Sequence, residues 1–119
     1  MITKVIAVYP GRFQPFGKHH AAAFMWLQKQ FGANNCYIVT SDKVELPKSP
    51  LNFTEKKALI DMYGFGNKVV KVKNPYKAEE LLSKFNPEST AVVFMVGEKD
   101  MKEDPRFKVG KLKIGRAHV

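Results

Sequence analysis

Cysteine is almost absent from this 119-residue chain: Cys36 stands alone, which rules out an intrachain disulfide and most zinc sites and fits a reducing, cytoplasmic setting. Lying in an apolar run, Cys36 reads as a small buried apolar residue. Long apolar runs are absent too. None approaches the roughly 20 residues that cross a bilayer, and the opening "MITKVIAVYPGR" is broken too early for a signal peptide. The protein is expected to be soluble and intracellular, without a membrane partner. Negative charge is scarce: 11 acidic residues face 20 basic ones, for a net charge of +9. The lysines run from Lys4 to Lys113 rather than in one block, so they give a broad positive field suited to anionic partners. Nucleotide phosphates and nucleic acid both qualify. About 45% of residues are apolar, enough for one modest core and one domain.

What is present is an alternation of two patterns. "KVIAVY" (4–9), "NCYIVTS" (35–41), "KVVKVKN" (68–74) and "TAVVFMVG" (90–97) are short β-branched runs without a polar face, the pattern of strands buried on both sides. Between them lie helical segments. Phe24, Leu27 and Phe31 recur at helical spacing over Lys18 to Phe31, with Gly32 as the stop. Asn52 and Glu55 form a capping box before "FTEKKALIDMYG", and "AEELLSKF" (78–85) makes a third helix. Four strands alternating with helices predict an α/β fold: a Rossmann-like open parallel sheet with helices on both faces. Ligands in such sheets bind beyond the strands' carboxyl ends, near the switch in strand order. The loops to watch are 10–20, 41–52, 74–77 and 97–107.

The first of these loops carries the sharpest signal. A strand, then Gly11 and a turn entering a helix at His19 and His20, brings backbone N–H groups and imidazoles to one point, an arrangement that suits phosphate. "GRFQPFGKHH" (11–20) resembles the "GRFQPFHKGH" signature of the H-x-G-H nucleotidyltransferases, notably nicotinamide-mononucleotide adenylyltransferases and related phage-encoded proteins. "SPLNFTEKKALI" (49–60) resembles the second element of that family, "NPFTAGERIEMI". The likeness spans residues 4 to about 107. Class I aminoacyl-tRNA synthetases share the H-x-G-H logic, but this chain is far shorter and "GRFQP" points elsewhere.

The resemblance implies transfer of an adenylyl or cytidylyl group from ATP or CTP to a small phosphorylated acceptor, with release of pyrophosphate and Mg2+ on the leaving group. It implies catalytic roles for His20, His19 and Lys18. Nucleotide binding would fall to Gly11, Arg12, Phe13, Gly17 and Lys56, with Lys99 and Asp100 after the fourth strand. Thr40 and Ser41, closing the second strand, would face the acceptor. Two departures stand out: Gly17 occupies the place of the first family histidine, and His19 that of the glycine. The alternative they leave is a non-catalytic nucleotide- or nucleic-acid-binding domain; nucleic acid is possible but not favoured. The family's later Ser/Thr-rich basic element is not found. "IGRAHV" (114–119) has no apolar period and matches one reading frame of a common sequencing adapter. It therefore reads as a non-native tail on a C-terminally truncated domain of residues 1–113, expected to lie off the sheet and to be weakly active or inactive.

Overall fold

A computed structural model describes residues 2–95 and, as backbone, 112–116. Its centre is a five-stranded sheet of order β3-β2-β1-β4-β5, with β1 Lys4–Pro10, β2 Cys36–Thr40, β3 Val69–Lys71, β4 Thr90–Met95 and β5 Leu112–Arg116. The first four are parallel, β1 lying between β2 and β4. The helices are α1 Lys18–Phe31, α2 Phe53–Met62 and the one-turn α3 Glu79–Leu82.

The apolar strands explain the layering. Successive residues of β1 alternate between two separate clusters. Ala7 and Tyr9 pack with Phe24, Leu27 and Ile60 of α1 and α2, whereas Ile6 and Val8 pack with Leu81 and Leu82 of α3. Both faces of the sheet are therefore covered, as its lack of a polar alternation requires. The chain first winds outward from β1 through β2 to β3, then returns past β1 to β4 on the other face. The strand order consequently switches between β1 and β4, and the turn after β1 sits at that point.

Two expectations need adjusting. The third helix, expected over 78–85, ends at Leu82: Lys84 and Phe85 donate to Leu81 and Leu82, bonds of the tighter three-residue type, shortly before Pro87 prevents continuation. Residues 114–116, expected to lie off the sheet, instead form part of β5. Ile114, Gly115 and Arg116 pair antiparallel with Val93, Val92 and Ala91. The physical reason is that β4 would otherwise present an edge of unpaired backbone groups, which β5 satisfies.

Candidate functional site

The turn between β1 and α1 is built on aromatic packing. Gly11 lies under the Phe13 ring, and a Cβ there would come within 2.9 Å of it. Phe13 is itself buried in a left-handed conformation, φ 49°, which a non-glycine residue holds only where its surroundings enforce it. Its ring meets Tyr9, Phe16 and His20 edge to face at 5.2 Å each. His20 is also stacked on Phe16 at 5.5 Å. Thus Phe13 is a packing residue, and any contact it makes with a nucleotide would run through its backbone.

His20 is the third residue of α1 and closes the turn by accepting the Gly17 N–H on Nδ1 at 2.9 Å. That bond fixes the tautomer, leaving the neutral ring's proton on Nε2. Burial, and secondarily the adjacent His19, lower its pKa to about 4, so the ring is neutral at pH 7. The His19 ring lies 4.0 Å from that of His20 and is exposed, as is Lys18. Gly17 caps α1 without a side chain. Its φ of −117° and the ordinary 3.6 Å clearance at a hypothetical Cβ mean that glycine is not sterically required there.

A second constellation lies beside this turn, beyond the carboxyl ends of β1, β2 and β3. A cavity of about 460 Å³ is lined by Arg12, Gln14, Ser41, Lys43, Lys48, Lys56 and Lys73, with Glu45 and Tyr76 also in its wall. Five cations face one carboxylate, and the Glu45 carboxylate pairs with Lys43 at 3.3 Å. Local bonds hold the walls. Gln14 donates to the Leu51 carbonyl at 2.9 Å and accepts the Leu51 N–H at 2.8 Å, clamping the first turn to the loop before α2. Glu45 and Ser49 exchange backbone bonds across that loop, which carries Lys43 and Lys48.

Lys56 is the unusual member. It lies in the first turns of α2, where the helix dipole disfavours a cation, and is only 1% exposed. Its Nζ donates to the Thr40 hydroxyl at 3.1 Å and to the Ser41 carbonyl at 2.7 Å. Burial lowers its pKa, opposed by the Asp42 carboxylate. An ammonium has three protons to donate; two are engaged here, within a residue that lines the cavity. Thr40 is fully buried, and its hydroxyl donates in turn to the Arg12 carbonyl at 3.3 Å. Its oxygen ties Lys56 to the first turn. Ser41 does line the cavity, as does Arg12. Lys99 and Asp100 fall outside the described residues. Cys36 is buried and donates to the Gly32 and Leu27 carbonyls, its thiol pushed up to about 11 by burial; it is inert.

Sequence reasoning missed Gln14, Lys43, Lys48 and Lys73. Each lies in or beside a loop that follows a strand, the one signal that could have singled them out. Among the described residues no group of three or more His, Cys, Asp or Glu gathers to hold a metal, and no helix is long and apolar enough to cross a membrane. The fold and site together define an α/β protein with an open, mainly parallel sheet and a basic cavity at the carboxyl ends of its strands. Comparison with family models, curated proteins and solved structures finds no match.

Proposed function

We propose that the protein is a nucleotidyltransferase that moves an adenylyl or cytidylyl group from a nucleoside triphosphate to a small phosphorylated acceptor. The observation that carries this reading is the position of "GRFQPFGKHH" at the switch in strand order, with His20 held there as a neutral donor. In such a transfer an acceptor phosphate oxygen attacks the α-phosphorus in line, a Pα–O bond breaks, and pyrophosphate leaves. The nucleophile is already an anion, so placement and positive potential carry the rate. His20 donates through Nε2 to a phosphate oxygen without adding a net charge, while Lys18 and Arg12 supply charge from the rim. Lys56, buried beside the turn, holds the acceptor phosphate in the adjoining cavity.

Mg2+ belongs to this chemistry as a neutraliser of the leaving pyrophosphate. The described donors around the turn are imidazoles and cations, which do not fit a metal held by the chain itself, so the ion would enter with the triphosphate. The exchanged Gly17 and His19 favour a second reading, a domain that binds nucleotide without turning it over. Screening the four nucleoside triphosphates against phosphorylated acceptors for pyrophosphate release separates the two. Release that requires both reactants supports transfer. Saturable triphosphate binding without release under any pairing supports the binding domain.

A further inference from the structure

The lysines are scattered in sequence, but the fold gathers several at one end of the sheet. A second groove of about 530 Å³, lined by Ser41, Asp42, Lys43, Lys71, Lys73 and Glu80, adjoins the first cavity. The two share Ser41, Lys43 and Lys73. Taken together as a trough, they carry six cations, Arg12, Lys43, Lys48, Lys56, Lys71 and Lys73, against three carboxylates, Asp42, Glu45 and Glu80. Each cavity alone is within the usual range for a single small ligand, so the two together offer more room than one phosphate takes. The trough is open to solvent, and its wall includes Tyr76, which is 51% exposed. A basic groove with a half-exposed aromatic residue in its wall is the arrangement that takes single-stranded nucleic acid, in which cations follow the phosphates and aromatic side chains meet the bases.

We infer that the joined grooves bind a short single-stranded polynucleotide, with successive backbone phosphates on Lys48, Lys43, Lys73 and Lys71. This inference goes beyond nucleotidyl transfer and stands whether or not the chain turns over a triphosphate. It reverses the sequence-based preference against nucleic acid, because charge that is diffuse along the chain is concentrated by topology.

The test is fluorescence anisotropy of dye-labelled thymidylate of about eight nucleotides, within the site size of comparable single-strand binders, measured over a range of salt. Paired variants decide where it binds. Lys71→Glu with Lys73→Glu reverses two exposed charges in the trough. Lys29→Glu with Lys84→Glu makes the same charge change at the ends of α1 and α3, next to the amino ends of the strands. The trough pair is expected to weaken binding about tenfold and to reduce the log–log salt slope by about 1.4, at roughly 0.7 for each single-strand phosphate that is no longer neutralised. The distal pair is expected to change affinity by less than about threefold, the residue of long-range screening. Equal weakening by both pairs would overturn the proposal, since the chain would then be binding by net charge alone. So would thymidine 5′-monophosphate binding as tightly as the oligomer, which would make the cavity a small-anion site. Equally tight binding of a duplex of the same length would remove the single-strand assignment.

Discussion

The turn after β1 and the trough beyond β2 and β3 adjoin each other but solve the recognition of phosphate in opposite ways. In the turn, an aromatic cluster of Tyr9, Phe13 and Phe16 surrounds His20 and keeps it neutral. It offers one oriented donor and little charge. The trough offers many charges, among them Lys56, fixed by two hydrogen bonds. An oriented neutral donor suits a group whose geometry changes during reaction, whereas a set of lysines acts as point charges that hold an anion in place. The two regions are joined by the Gln14–Leu51 clamp and by the path from Lys56 through Thr40 to the Arg12 carbonyl.

Removing the oriented donor should do the most damage. His20→Ala is expected to lower turnover roughly 100-fold or more, the usual effect of deleting a positioned donor at a transferring phosphate. Rates within threefold of the unmodified protein would end the distinction drawn here between the regions. The scaffold of the turn comes next. Gly11→Ala pushes a methyl into the Phe13 ring and is expected to destabilise the fold by about 1–3 kcal/mol, as overpacking does, read from the midpoint of denaturant unfolding.

On the trough side, Lys56→Met keeps the buried stem and removes the ammonium. Affinity for inorganic phosphate should fall about tenfold, while stability stays level or rises by about 1 kcal/mol, since an ammonium buried among neutral oxygens is costly to desolvate. A large drop in stability would instead make Lys56 a structural strut. Smallest is a pH effect. The His20 pKa is about 4 in the folded protein against 6.5 in its ordinary state. Between those values the unfolded chain binds the extra proton, so stability rises with pH across that window and is lost on acidification. Comparing unfolding midpoints at pH 5 and pH 7 in the protein and in His20→Phe checks this: the substitution should flatten the difference.

Local signals in the sequence were carried faithfully into the structure. α1 begins at Lys18 and ends at Phe31 as its periodicity and Gly32 indicate, and the box of Asn52 and Glu55 forms with both reciprocal bonds. The β1–α1 turn was legible because its residues are contiguous. The trough was not, because its lysines come from two loops, strand β3 and helix α2 and meet only through strand order. Lys56 shows the limit most clearly. In the sequence it is only a lysine just after a cap, and its burial comes from the packing of α2 against the end of β2. For Thr40 the sequence shows a hydroxyl at a strand end, not that two neighbours already occupy it.

The most direct test is the imidazole resonance of His20, followed by nuclear magnetic resonance while ATP and CTP are added in turn at pH 7. One of them is expected to shift the Nε2 signal of His20 saturably, and Lys71→Glu with Lys73→Glu is expected to leave that shift in place, because the triphosphate sits at the turn and not in the trough. If saturating triphosphate leaves the His20 imidazole unchanged, or if the shift disappears with the trough lysines, the turn after β1 is not the nucleotide site.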